Sequence, residues 1–219
     1  MNTIVLVPGG WRGGWTFTPF ARELRRAGFD VFTPTLTGLG ERHHLAGANL
    51  DTHVQDIVNV LTYEQLTDVV LCGHSYAGMV ITGAADRVPE RVRALVYLDA
   101  FVPADGDSWW SLAGDDFRRV AIERSGTEGS VVSPPENRDK RCVPHPFASF
   151  RQVIRLTGKW TQVTTKVFVY ASGWEGTPFT RTYEALRHDP SWTVHALPTG
   201  HDIIKEAPQQ VLNILRSVE

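Results

Sequence analysis

Short apolar runs alternate with amphipathic stretches along most of the chain. The apolar runs are Ile4 to Val7, Asp30 to Thr33, Asp68 to Cys72, Ala94 to Leu98, Lys166 to Tyr170 and Trp192 to Leu197. After the first they are short and nearly all apolar, as strands covered on both faces must be. Between them Phe17 to Ala27, Thr52 to Gln65, Tyr76 to Arg87, Thr180 to Arg187 and Lys205 to Val218 have the spacing of amphipathic helices. The rhythm predicts βαβ units, hence an α/β fold with a mostly parallel sheet of about six strands and helices on both faces.

One segment breaks this rhythm. From about Pro103 to Thr165 the chain carries charges, Trp109, Trp110, Gly126, Gly129 and the pair Pro134 and Pro135, with no clear strand. So long an excursion inside a compact domain is usually functional, so residues 103–165 are expected to form a cap or lid over the sheet. A purely structural helical cap is the plainer alternative.

Composition narrows the picture. At 219 residues, with 42% hydrophobic and 21% charged, the chain is expected to close one domain over residues 1–219. Lys+Arg 22 against Asp+Glu 24 leaves a net charge of -2, so nothing draws it to nucleic acid or anionic lipid. Cys72 and Cys142 are too few for a disulfide framework and fit a reducing, cytoplasmic setting. The apolar start at Ile4 to Val7 has no basic flank and runs straight into glycines, unlike a signal peptide or a membrane span. No spacing of His, Cys and Asp resembles a metal site. The expected partner is a small-molecule substrate, with neither nucleic acid nor membrane, and a homo-oligomer is compatible with the sequence.

Chemistry enters at Gly73-His74-Ser75-Tyr76-Ala77-Gly78, which lies between an expected strand and an expected helix. A serine on so sharp a turn needs small neighbours, supplied by Gly73 and Ala77, and its hydroxyl then projects from the C-terminal edge of the sheet. Ala77 stands where the usual pattern has glycine. The helix N-terminus behind the serine offers N–H groups to developing negative charge. An ordinary serine opening a helix is the bland alternative.

With LVPGGWRGGW near the start, TGLGERHHL, GHSYAGMVITGAADRVPERV, LVYLDAFVPADG and PTGHD near the end, the chain resembles α/β-hydrolases. The likeness is to the small branch of plant methylesterases, hydroxynitrile lyases and pyrethroid-hydrolase-like esterases, and it spans nearly the whole length. It implies the α/β-hydrolase fold, with Ser75 as nucleophile. It also points to Gly10, in the loop Pro8-Gly9-Gly10-Trp11, as one oxyanion donor, beside the backbone N–H of Tyr76. Pro8 replaces the histidine usual in relatives, which changes the surroundings of that loop and not the donor. A plain glycine turn is the alternative.

Of eight histidines, His201 follows the last expected strand, at the same sheet edge as Ser75, and is the candidate base. His43, His44 and His53 read as ordinary surface histidines beside a loop, and His74 as packed by its strand position. Two carboxylates compete to orient His201. Asp99 interrupts an otherwise apolar strand end, a costly place for a charge unless it is paired. Glu175 is the only carboxylate in the run Ala171-Ser172-Gly173-Trp174-Glu175 directly after the strand Lys166 to Tyr170. Asp99 is the preferred acid, Glu175 the second choice, and an Asp99 that merely caps the turn is the bland reading.

These residues describe a cofactor-independent serine hydrolase for a carboxylic ester. Trp11, Phe101, Trp109 and Trp110, with Trp15, stand near the expected mouth and favour a bulky apolar or aromatic substrate. A lyase on the same scaffold is one rival. There serine and histidine would deprotonate a hydroxyl without an acyl-enzyme, with Lys140 or Lys159 as guesses for an assisting cation. A non-catalytic ligand-binding receptor is the other.

Overall fold

The computed structural model describes residues 2–45, 47–136 and 138–218. The first half of the chain runs β1 (Thr3–Val7), α1 (Thr18–Arg26), β2 (Asp30–Phe32), α2 (Leu50–Tyr63), β3 (Val69–His74), α3 (Ala77–Arg87) and β4 (Val92–Leu98). Next come α4 (Trp109–Leu112), α5 (Asp115–Glu123), β5 (Val131–Val132), β6 (His145–Pro146) and α6 (Phe147–Arg151). The remainder is β7 (Thr165–Ala171), α7 (Thr180–Leu186), β8 (Thr193–Leu197), α8 (Ile203–Glu206) and α9 (Pro208–Ser217).

Six of the strands form a parallel sheet in the order β2-β1-β3-β4-β7-β8. This is the mostly parallel α/β sheet of about six strands that the apolar runs predict. Alternation along each strand divides the core. Leu71, Leu95, Tyr97 and Phe168 face one side with α2 and α3, while Val70, Cys72, Val96 and Val169 face the other with α1 and α9. Burial on both sides explains the nearly unbroken apolar runs.

The register sets the working edge. Val7 pairs with Gly73, His74 with Leu98, Leu98 with Val169, and Ala171 with Leu197. The loops after β1, β3, β4, β7 and β8 therefore leave the sheet side by side. The strand order reverses between β1 and β3, the point at which crossovers diverge and open a crevice.

Two expectations are corrected. The segment expected to lack strands contains the short antiparallel pair β5 and β6, with Val132 opposite His145. Two residues per strand leave no alternation to read. The expected last helix, Lys205 to Val218, is broken: α8 ends at Glu206 and α9 opens on Pro208. Proline lacks the N–H and crowds the preceding turn, so it begins a helix well and continues one badly.

The 103–165 segment is fastened at both ends. Asp86, buried on α3, accepts from Thr157 N–H at 2.6 Å, from Thr157 Oγ1 at 3.0 Å and from Trp160 N–H at 3.1 Å. Burial alone would raise this carboxyl, but those donors hold it below its ordinary value. At the other end Trp109, buried at the start of α4, packs on Phe101 just past β4, with ring centroids 6.3 Å apart. Among the described residues no helix is long and apolar enough to cross a membrane, and both cysteines are free.

Candidate active site

Ser75 lies between the end of β3 and the start of α3 with φ 57, a left-handed conformation that costs a non-glycine residue of order 1 kcal/mol or more. Its neighbours hold it there. The Ser75 N–H donates to Leu98 O at 3.2 Å, and Ser75 O accepts from Gly78 N–H at 3.1 Å and Phe101 N–H at 3.2 Å. A Cβ on Gly78 would sit 2.0 Å from Phe101 O, so only glycine lets α3 approach the backbone after β4.

Ser75 Oγ is 2.9 Å from His201 Nε2, and His201 Nδ1 is 2.7 Å from Asp99 Oδ2. The other oxygen, Oδ1, accepts from Ala171 N–H at 3.1 Å. Asp99 is fully buried and left-handed, at φ 44, its own N–H bonded to Val169 O at 2.7 Å. The charge that interrupts an apolar strand end is therefore paired. Glu175 is exposed and lies outside this chain of bonds. Asp202, next to His201, is also elsewhere: Arg12 grips it at 2.6 and 3.0 Å, tying the loop after β1 to the His201 loop.

Burial depresses the His201 imidazole, to about 3, so it is neutral near pH 7 and can accept a proton. Burial pushes the Asp99 carboxyl up, to about 7, against the pull of the Ala171 N–H and of His74. With Nδ1–H donated to Asp99, Nε2 is left as acceptor for the Ser75 hydroxyl. In such an arrangement the imidazole can take the hydroxyl proton while the carboxylate stabilises the imidazolium.

Neither the Gly10 nor the Tyr76 N–H has a hydrogen-bond partner among the described residues. At position 9 a Cβ would be crowded, 3.0 Å from His74 Nδ1 and Ser75 Cβ, whereas at position 10 it would meet nothing closer than 3.6 Å. The cleft at Ser75 and Gly10 is small, about 20 Å³, and a cavity of about 740 Å³ adjoins it, sharing Arg12, His74 and Arg138.

Of the aromatic residues expected at the mouth, Trp11 borders the cleft and Trp15 the larger cavity. Phe101 and Trp109 are buried, and Trp110 packs on Phe147. The rings against His201 are His74 at 4.5 Å, expected to be packed beside the serine, and two that the sequence did not single out, Trp174 at 4.4 Å and Phe179 at 5.9 Å. Their loop has no pattern that announces them. His43 and His44 are exposed as expected, whereas His53 is wholly buried, bonded to Tyr76 Oη and Thr37 O at 2.8 Å each. His145, not singled out either, is also wholly buried. Lys140 and Lys159 are exposed and border neither cavity.

Comparison with known proteins bears on the family and the fold. A model of the alpha/beta hydrolase family matches residues 4–214. The chain is 37% identical, over an alignment of 241 residues covering 100% of both chains, to the carbendazim hydrolyzing esterase of Nocardioides sp. (strain SG-4G). It is 29% identical over 108 residues to the pyrethroid hydrolase of Sphingobium wenxiniae (strain DSM 21828 / CGMCC 1.7748 / JZ-1), covering 48% of this chain and 38% of that protein. In fold it is similar to an extracellular alpha/beta-hydrolase from a Paenibacillus species, with TM-score 0.86 at 21% identity over 100% of this chain and 99% of that one.

Burial holds five imidazoles low: His53 at about 4, His74 and His201 at about 3, His145 well below its ordinary value and His195 below it. An unfolded chain protonates each near pH 6.5. As pH falls below that value the unfolded state gains protons that the folded state refuses, so stability is lost on acidification. The loss extends to the folded values near 4 and 3. Asp99, shifted upward, acts in the opposite sense but is a single group. His53, His74, His145 and His201 each contribute up to about 1.4 kcal/mol per pH unit. Urea unfolding should therefore show stability falling steeply from pH 7 to 5, and His53→Gln should flatten that slope by close to one proton. A flat profile in the wild type would contradict the buried neutral state.

Proposed function

This chain belongs to the alpha/beta hydrolase family and is a hydrolase, and we propose that it cleaves a carboxylic ester through an acyl-enzyme on Ser75. The observation that carries this reading is the unbroken bonding from Ser75 Oγ through His201 to buried Asp99, on a serine held left-handed at a strand-to-helix turn.

His201 Nε2 takes the hydroxyl proton as Oγ attacks the ester carbonyl carbon. The oxygen that becomes negative accepts from the N–H groups of Gly10 and Tyr76, each such donor contributing about 3 kcal/mol to the transition state. The imidazolium, steadied by Asp99, then protonates the departing alcohol. A water molecule repeats the attack and frees Ser75. No cofactor or metal enters these steps.

The cleft at Ser75 has room for the reacting carbonyl only, and the adjoining cavity sets Trp15, Phe17 and Phe20 among charged residues such as Arg12, Glu23, Arg141 and Lys205, so a bulky apolar or aromatic group would rest on its aromatic side. The similarity to an esterase named for carbendazim and to a pyrethroid hydrolase supports a substrate of this kind. The exposed positions of Lys140 and Lys159 weigh against the lyase reading, which called for a cation beside the serine.

Hydrolysis of p-nitrophenyl esters tests both halves. Ser75→Ala should abolish turnover. Asp99→Asn should lower kcat by roughly 10³ to 10⁴, as loss of the orienting charge does in a serine protease, while Glu175→Gln stays near wild type. The reverse pattern would hand the role to Glu175. Across the series, aryl or long acyl esters should exceed acetate in kcat/KM, and equal values would remove the proposed bulky-group pocket.

A further inference from the structure

His145 has no part in the steps above, yet it stands behind both proposed oxyanion donors. Trp11, the residue after Gly10, is left-handed at φ 66, an uncommon state for a bulky side chain. All of its polar groups are held by the segment between β4 and β7. Its N–H donates to His145 Nδ1 at 3.2 Å, its carbonyl accepts from Val143 N–H at 3.0 Å, and its Nε1 donates to Val132 O at 2.8 Å. The His145 ring also packs 4.8 Å from the ring of Tyr76, whose N–H is the second donor.

The protons in this cluster have one consistent arrangement. Nδ1 must be bare to accept from Trp11, so Nε2 carries the hydrogen and donates to Ser149 Oγ at 2.7 Å. Ser149 in turn donates to Pro146 O at 2.7 Å. The imidazole is wholly buried and stacked on Phe150, with ring centroids 4.2 Å apart. Its acceptor face is thereby fixed toward the loop after β1.

We propose that His145 is a positioning residue for the oxyanion hole. By accepting the Trp11 N–H it keeps that residue left-handed and so aims the Gly10 N–H at the developing oxyanion. The segment between β4 and β7 is then a part of the hole and more than a cover for it. This inference rests on the reading of Ser75 as nucleophile with Gly10 as a donor.

The test pairs two substitutions. His145→Phe keeps the ring and the stack on Phe150 but removes the acceptor, while His145→Asn can place an amide oxygen near the position of Nδ1. An aryl trifluoromethyl ketone, which adds to a serine oxygen to give a stable oxyanion, reports on the hole itself. His145→Phe should lower kcat and weaken binding of the ketone by about 10²-fold each, the scale of losing one oxyanion donor, with KM changed less than about twofold. His145→Asn should recover most of both. Should His145→Phe fail to fold, Ser149→Ala, which frees the proton to move to Nδ1, should produce the same pattern at about tenfold. Unchanged ketone affinity in the folded variants, or equal losses in His145→Phe and His145→Asn, would overturn the proposal. A fluorophosphonate probe separates the two levels of the argument: wild-type protein unlabelled at Ser75 defeats the hydrolase reading and this inference with it. Labelling at the same rate in wild type and His145→Phe defeats the inference alone.

Discussion

The backbone of Ser75 is tied on both sides to the end of β4, and the arrangement of the whole sheet edge depends on that tie. Leu98 O accepts from its N–H, while Gly78 and Phe101 N–H groups donate to its carbonyl. Those bonds hold a left-handed serine that would otherwise relax. They also fix the relation of serine to acid, because Asp99 lies within the same stretch of backbone between Leu98 and Phe101. The close approach of Gly78 to Phe101 O completes the joint. Ser75 and Asp99, the proposed nucleophile and acid, are thus placed by one piece of packing, and His201 has only to reach between them.

Three clamps bring the remaining parts to that joint. His74 Nε2 donates to the carbonyl of His201 at 2.8 Å, so the residue before the serine holds the loop that bears the base. Arg12 and Asp202 join the loop after β1 to the same segment through a two-pronged ion pair. Burial would raise the Asp202 carboxyl, but the Arg12 guanidinium outweighs it and holds the group well below its usual range. The third clamp is the grip of residues 132–145 on Trp11. None of the three engages Ser75 Oγ or the ring nitrogens of His201.

What could be read from the sequence follows the range over which each signal acts. The run from Gly73 to Gly78 announces a turn because the required small residues are adjacent, and Asp99 stands out because a charge in an apolar run is locally anomalous. The strands could be counted because burial on both faces leaves them apolar throughout. Ring packing around His201 was not legible, since Trp174 and Phe179 reach it through tertiary folding. The bond from Trp11 to His145 spans 134 residues, and β5 and β6 have two residues each, too few for a period. His53 was misjudged as a surface group because its burial depends on Tyr76 and Thr37, distant in sequence.

The account turns on a covalent bond to Ser75, and trapping it is the most direct measurement. The protein would be mixed with an activated aryl ester whose acyl group leaves slowly, quenched in acid within milliseconds to seconds, and weighed intact before peptide mapping. The account predicts a transient mass increase equal to the acyl group, located on the peptide containing Ser75 and decaying at the rate of steady-state turnover. Sustained hydrolysis with no adduct at any quench time, or an adduct on another residue, would contradict it.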